Sequence, residues 1–171
     1  YCRNCSACIP VRIPVNEFQP GRRHRRCRRR NQDLVVTRRP AEFDAEHFAL
    51  YQRYLTQRHR GGGMDNPTPE SYVEFLSASW SDTTFYEMRD ADRKLVAVTV
   101  ADAMPDAMSA VYTFYDLEQD ARGPGTFAIL FQVEEARRRN CAWLYLGYWI
   151  QECRKMRYKN DFRPLEHFRE G

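Results

Sequence analysis

Ser109 to Gly147 reads SAVYTFYDLEQDARGPGTFAILFQVEEARRRNCAWLYLG, and its successive textures decide the fold. Ser109 to Tyr115 is a short run of β-branched and aromatic residues, the composition of a strand. Gly123, Pro124 and Gly125 then break regular structure. Phe127, Leu130, Phe131 and Val133 recur at helical spacing ahead of the charged stretch Glu134 to Arg139, which predicts an amphipathic helix. Trp143 to Gly147 turns apolar again, as a further strand. A strand, a crossover helix and a strand place the two strands side by side and parallel.

Working outward towards the N-terminus, Phe85 to Arg89 and the valine-rich Lys94 to Met104 read as strands. The turn-like Asp90 to Arg93 and Pro105 to Asp106 separate them from each other and from Ser109, so the three form an antiparallel meander. Ala45, Phe48, Tyr51 and Leu55 recur at helical spacing, predicting a helix from about Ala41 to His59 that Gly61, Gly62 and Gly63 stop. Thr68 and Pro69 have the chemistry of an N-cap and a first-turn proline, starting a second helix through Tyr72, Phe75 and Leu76. Further back, Val11, Ile13 and Val15 alternate with Arg12, a strand whose Pro10 and Pro14 place it near a sheet edge. Leu34 to Val36 is another apolar strand segment. The expected class is α+β, with a cysteine- and arginine-rich part of an N-terminal domain at 1–39, a helical connection at 40–82 and a mixed sheet with helices at 83–171.

The 171 residues, 43% hydrophobic and 13% aromatic, can fill a core. No run approaches the roughly 20 apolar residues of a membrane-spanning helix, and the N-terminus lacks the apolar core of a signal peptide. Cys2, Cys5 and Cys8 are crowded while Cys27, Cys141 and Cys153 are scattered, unlike the framework of a small secreted protein. A cytoplasmic protein with reduced thiols is expected, partnered by neither membrane nor DNA. Because the chain opens at Tyr1 and runs straight into a cysteine motif, an upstream segment is also expected.

Three features carry chemistry. Cys2-x-x-Cys5-x-x-Cys8 has the spacing of thiolate ligands to an iron-sulfur cluster or zinc, with Cys27, His24 or an upstream residue as fourth ligand, and equally the look of incidental thiols. Gly21 to Arg30 packs seven arginines into ten positions, a density that repels itself unless an anion faces it, and RNA phosphate is such an anion. Arg122 to Thr126 offers backbone N–H groups at a helix start, suited to a phosphate or a developing oxyanion. It lies between Tyr112, Tyr115 and Asp116 on one side and a helix leading to Tyr145 and Tyr148 on the other. Asp116 and Glu135 are candidate proton acceptors, each equally readable as a surface charge.

Three blocks of residues resemble a known family over nearly the whole chain. The first is Tyr1, Cys5-x-x-Cys8 and Ile9-Pro10-Val11-Arg12-Ile13-Pro14-Val15, continuing through Phe18-x-Pro20 and the arginine run to Asn31. The second is Tyr112-Thr113-Phe114-Tyr115-Asp116 with Gly125-Thr126-Phe127-Ala128-Ile129-Leu130 and Glu134-Glu135-Ala136. The third is Tyr145-Leu146-Gly147-Tyr148-Trp149-Ile150, then Lys155-Met156-x-Tyr158-Lys159 and Phe162-Arg163-Pro164. Together they resemble the bacterial aspartate/glutamate leucyltransferases, relatives of the eukaryotic arginyl-tRNA-protein transferases. Cys2 is an addition to the family's cysteine pair, and Arg122-Gly123-Pro124 departs from its usual pattern.

The resemblance implies a C-terminal acyltransferase fold of the N-acetyltransferase (GNAT) type. It implies an enzyme that moves an amino acid from aminoacyl-tRNA to a protein with N-terminal Asp or Glu and so marks that protein for N-degron proteolysis. Leucine is the expected donor, with arginine as the alternative. No cofactor is required, since the ester is already activated, while Cys5 and Cys8, with Cys2, remain candidate cluster ligands. Arg22, Arg23, Arg26, Lys155 and Lys159 are the candidate tRNA contacts. Arg12 or Arg30 is the candidate for the acceptor's carboxylate, and Tyr112, Tyr115, Gly125, Thr126 and Tyr148 form the candidate reaction pocket. An acetyl-coenzyme A enzyme of the same fold and a non-enzymatic, metal-dependent RNA-binding module are the competing readings.

Overall fold

The computed structural model describes residues 7–58, 66–77 and 81–168. Strands run at β1 (Ile9–Pro14), β2 (Val35–Pro40), β3 (Asp82–Arg89), β4 (Leu95–Ala103), β5 (Ala107–Tyr115), β6 (Trp143–Trp149) and β7 (Glu166–His167). The helices are α1 (Arg22–Arg30), α2 (Ala45–Arg58), α3 (Pro69–Leu76) and α4 (Pro124–Arg138), with 3-10 segments at Leu117–Arg122 and Arg154–Asp161. The meander β3–β4–β5, the crossover helix α4 and the parallel strand β6 appear where the sequence places them. The described strands form one sheet in the order β2-β3-β4-β5-β6-β1-β7, in which only β5 and β6 pair in parallel.

β1 lies between β6 and the two-residue edge strand β7, close to the edge as its prolines require. β2 pairs with β3 from Val35↔Arg89 to Pro40↔Thr84. Residues on either side of position 39 therefore belong to the same sheet, and the divisions expected at 39 and 82 do not coincide with a break in its hydrogen bonding. The helix expected from about Ala41 starts later, at Ala45, because the Asp44 carboxylate caps it by accepting from the Glu46 and His47 N–H groups. Thr68 caps α3 as expected, accepting from the Ser71 N–H while the Ser71 hydroxyl accepts from the Thr68 N–H.

Alternation along the strands sorts the two faces. Tyr86, Thr99 and Thr113 share one face, where α4 lies: Phe131 meets the Tyr86 ring at 5.1 Å and Gln132 donates to the Thr99 hydroxyl at 2.9 Å. Phe85, Val100 and Tyr112 share the other, against which α2 and α3 pack through Tyr51, Tyr54, Tyr72 and Phe75. Core therefore fills both sides of the sheet. No helix among the described residues is long and apolar enough to cross a membrane.

The parallel pair is short. β5 and β6 are in register only at Ala107↔Trp143, Met108↔Leu144 and Ser109↔Tyr145, although β5 runs on to Tyr115 and β6 to Trp149. Two irregularities sit where pairing stops. β5 carries an extra residue at Val111, between the pairs Ala101↔Ala110 and Val100↔Tyr112, and Gly147 puts left-handed backbone (φ 72°) into β6. A bulge on one strand and a glycine bend on the other turn the two backbones apart. The result is a gap in the sheet at the end where α4 begins.

Candidate functional site at the start of helix α4

The arginine run folds as a helix whose three inward positions are not arginine. His24, Cys27 and Asn31 recur at helical spacing and are buried, while Arg22, Arg23, Arg25, Arg26, Arg29 and Arg30 face outward. The inward groups clamp the turn that starts α4. The Cys27 thiol lies 3.4 Å from the Gly123 carbonyl, and Asn31 Nδ2 donates to the Arg122 carbonyl at 2.9 Å. Arg122 in return donates to the Arg30 carbonyl and forms an ion pair with Asp33. Gly123 occupies left-handed backbone (φ 70°), where a side chain would be strained, and Pro124 supplies the first helical residue without an N–H to satisfy.

That clamp builds a cleft of about 270 Å³ between α1, the start of α4 and the 3-10 segment before β7. Arg23, Arg26, Arg30, Thr126 and Tyr158 line it together with His24, Cys27, Gly123, Asp161 and Phe162. Asp161 is the acid at this cleft, and Arg23 pairs with it at 2.9 Å. Arg26 and Arg30 have no carboxylate partner among the described residues. Two uncompensated guanidinium groups beside the N-terminus of a fifteen-residue helix favour an anion.

A second cleft of about 350 Å³ lies between α2 and the C-terminal end of β5, lined by Arg53, Gln57, Lys94, Tyr115, Asp116 and Glu118 among others. Both signs of charge meet there. Lys94 reaches Asp116 at 2.8 Å and Glu118 at 3.6 Å. Burial alone would raise the Asp116 carboxyl, but hydrogen bonds from Lys94 and the Glu118 N–H outweigh it and hold the group below its ordinary value, as a carboxylate. Tyr115 connects the second cleft to the first turn of α4: its ring edge approaches the Gly125 backbone, and its hydroxyl donates to Asp120 at 2.9 Å.

Of the residues expected at the site, Arg23, Arg26, Arg30 and Thr126 meet in the first cleft, and Tyr115 and Asp116 in the second. Gly125 stands in the first turn of α4 beside Tyr115, Arg22 opens α1, and Lys155 is exposed on the 3-10 segment. Tyr112 packs edge-on against Tyr54 and Phe75 under α2 and α3. Tyr148 is exposed on β6, beyond its last position paired with β5.

Three of the expected residues are engaged within the fold. Lys159 is buried, and its ammonium donates to the Leu146 and Tyr148 carbonyls on either side of Gly147, on the stretch of β6 that β5 leaves unpaired. Burial lowers its pKa. Arg12 is not free for an acceptor carboxylate, because it pairs with Glu166 at 2.7 Å, donates to the Tyr145 hydroxyl and stacks 3.5 Å over Trp143. Glu135 does not stand with Asp116. It is ten residues along α4 from Gly125, about 15 Å at helical rise, and is held there by Arg139, Arg138 and the Tyr86 hydroxyl.

Of the proposed metal ligands, Cys2 and Cys5 lie outside the described residues, while Cys8 is exposed. Among the described residues no three His, Cys, Asp or Glu side chains gather around a metal-sized space. His24, Cys27, Arg53, Lys94 and Asp161 were not anticipated as site residues for binding substrate. For His24 and Cys27 the signal was legible: the non-arginine positions of an arginine run mark its inner face.

Residues 46–169 match the family model described as arginine-tRNA-protein transferase, C terminus. The chain is 48% identical over 169 residues to the aspartate/glutamate leucyltransferase of Nitrosococcus oceani, covering 99% of this chain and 71% of that protein. It is 50% identical over 169 residues to the enzyme of the same name from Halorhodospira halophila, covering 98% and 72%. In fold it is similar to L-PGS from Bacillus licheniformis, with a TM-score of 0.60 at 10% identity over 83% of this chain and 45% of that one. An aminoglycoside acetyltransferase from an uncultured soil metagenomic sample superposes with a TM-score of 0.51 at 12% identity, over 76% of this chain and 84% of that one. The fold is thus one that this chain shares with an acetyltransferase.

Proposed function

This chain belongs to the aspartate/glutamate leucyltransferase family, and we propose that it transfers leucine from leucyl-tRNA to the N-terminal Asp or Glu of an acceptor protein. The observation that carries this reading is the first cleft, where uncompensated arginines surround the start of α4 next to the gap between β5 and β6. A single-stranded tRNA terminus brings phosphates to Arg26, Arg30 and the helix N-terminus, and bases that can stack on the exposed Tyr158 ring. The leucyl ester then extends into the gap, whose unpaired β5 edge offers backbone N–H groups to the carbonyl oxygen as it becomes anionic.

The acceptor enters from the second cleft. Asp116 and Glu118 attract its α-ammonium, and Arg53 or Lys94 receives its side-chain carboxylate. In the transfer the neutral α-amine attacks the ester carbonyl, a C–N bond forms and the ester C–O bond breaks. Asp116 takes the proton lost by nitrogen, directly or through water, and passes it on to the ribose oxygen as that oxygen leaves. The aminoacyl ester is activated before it arrives, so the step requires neither a covalent nucleophile nor a resident cofactor. A protein so modified carries an N-terminal leucine, a cytoplasmic N-degron signal.

The family model's description favours a second donor, arginine. Transfer of radiolabelled amino acid from leucyl-tRNA or arginyl-tRNA to peptides beginning with Asp, Glu, Lys or Ala decides between them. Leucine on Asp and Glu peptides alone is the expected result. Arginine on the same peptides would reassign the donor, and transfer of neither would remove the enzymatic reading.

A further inference from the structure

His24 is buried at 4% exposure and lies in the wall of the arginine cleft. Its ring stacks on Phe162 at 4.7 Å and meets Phe18 at 5.5 Å, so its orientation is fixed by packing. Its two nitrogens have different fates. The Gly21 N–H donates to Nδ1 at 3.3 Å, closing the first turn of α1. Nε2 is buried and has no hydrogen-bond partner among the described residues.

The cap determines the tautomer. A ring nitrogen that accepts a hydrogen bond bears no proton, so the neutral ring carries its proton on Nε2. Burial keeps the ring neutral by lowering its pKa. The Arg23 and Arg28 charges act in the same direction, Asp161 opposes them, and the Phe18 and Phe162 rings bring no charge. Nε2 is therefore an N–H donor without an acceptor, a costly arrangement for a buried group. In this state it has no lone pair for a metal ion. The groups sharing its cleft, Arg23, Arg26, Arg30 and the start of α4, are likewise donors or cations.

We propose that the Nε2–H of His24 donates to a phosphate oxygen of the donor tRNA's single-stranded 3′ end, fixing the strand's position where Arg26 and Arg30 supply only attraction. This rests on the reading of the arginine cleft as the tRNA site. A phosphodiester fits because its oxygens are acceptors only and can face several donors at once. His24 is thus a binding and positioning residue, remote from the reacting bond.

The test measures binding of a 5′-phosphorylated, dye-labelled ACCA oligonucleotide by fluorescence anisotropy, together with steady-state leucyl transfer by the full chain. His24→Phe keeps the ring stacks but removes both the Nε2 donor and the Nδ1 acceptor for the Gly21 N–H, while His24→Gln returns an N–H near the Nε2 position, so that recovery in His24→Gln assigns the loss to the donor. His24→Phe should weaken oligonucleotide binding and raise KM for leucyl-tRNA by about tenfold, with kcat within about twofold, and His24→Gln should recover most of the loss. The wild-type advantage over His24→Phe should be constant from pH 7 to 9, since the donor is the neutral ring. Unchanged affinity and KM in His24→Phe, at an unchanged melting temperature, would reduce His24 to packing and overturn the inference. If Arg26→Ala and Arg30→Ala weaken binding while His24→Phe does not, the cleft reading survives and the role of His24 falls. If the wild type transfers leucine without binding the oligonucleotide here, both the cleft reading and this inference fall, and the transfer activity stands.

Discussion

Helix α4 has two ends with opposite electrostatics. At its C-terminal end every charge is answered: Glu134 pairs with Arg28 and Arg137, and Glu135 with Arg138 and Arg139. Arg137 also donates to the Val15 and Phe18 carbonyls, tying the helix to the segment after β1. At the N-terminal end the neighbouring Arg26 and Arg30 have no acid among the described residues, and the buried donor on His24 has no acceptor. Charges closed on one another hold a fold together, whereas charges and donors left open at a helix N-terminus are fitted to something that arrives from outside. The difference supports the proposal that substrate binds at the first end of α4, while the last end serves structure.

Glu87 is the extreme of a compensated charge and sets the upper limit of the comparison. It is buried on β3, where His47, Arg39 and Arg89 all bond to it. Burial opposes its ionisation, but the hydrogen bonds from Arg89, His47 and Arg39 prevail and pull its pKa from 4.5 down to about 2. Because the folded value lies below the unfolded one, its stabilisation is fully present above pH 4.5 and is lost as pH falls towards 2. Glu87→Gln should cost roughly 3 kcal/mol in urea unfolding at pH 7, flatten the acid limb of the stability curve and leave kcat unchanged where the protein is folded.

The double variant Arg26→Ala/Arg30→Ala should do the reverse. Both side chains are exposed and have no carboxylate partner among the described residues, so the melting temperature should move by no more than about 2 °C. The kcat/KM for leucyl-tRNA should fall on the order of 100-fold, and the slope of log affinity against log salt should shrink by about 1.4 for two lost phosphate contacts to a single strand. A loss of stability without a loss of tRNA affinity would erase the contrast between the ends.

Arg137→Ala tests the closed end. It removes donors to two backbone carbonyls and to Glu134, and about 2 kcal/mol of stability should go with them, with transfer kinetics within about twofold. The smallest effect belongs to Glu135→Gln, whose partners Arg138 and Arg139 are near the surface: below about 1 kcal/mol, and a transfer rate within about twofold. A large fall in rate from Glu135→Gln would return that carboxylate to the chemistry and move the site along the helix.

The local signals were the readable ones. Gly123-Pro124-Gly125 marks the turn into α4, Thr68-Pro69 marks the cap of α3, and Val11-Ile13-Val15 shows which face of β1 is buried. What escaped depends on partners distant in sequence. Arg12 looks free until Trp143, Tyr145 and Glu166 are folded around it. Lys159 reads as surface within its charged segment, and its burial follows from the Gly147 bend, which leaves two carbonyls of β6 for an ammonium to fill. Glu135 and Asp116 are near in sequence, yet the rise of α4 separates them.

The most direct test of the central claim is a comparison of radiolabelled leucine transfer from leucyl-tRNA to an Asp-initiated peptide by the wild type, Arg26→Ala/Arg30→Ala and Arg137→Ala, each at a temperature where it is fully folded. The expected result is transfer by the wild type, near wild-type transfer by Arg137→Ala, and a loss on the order of 100-fold in kcat/KM for the arginine pair. Equal transfer by the arginine pair and the wild type would contradict the placement of the tRNA end at the start of α4.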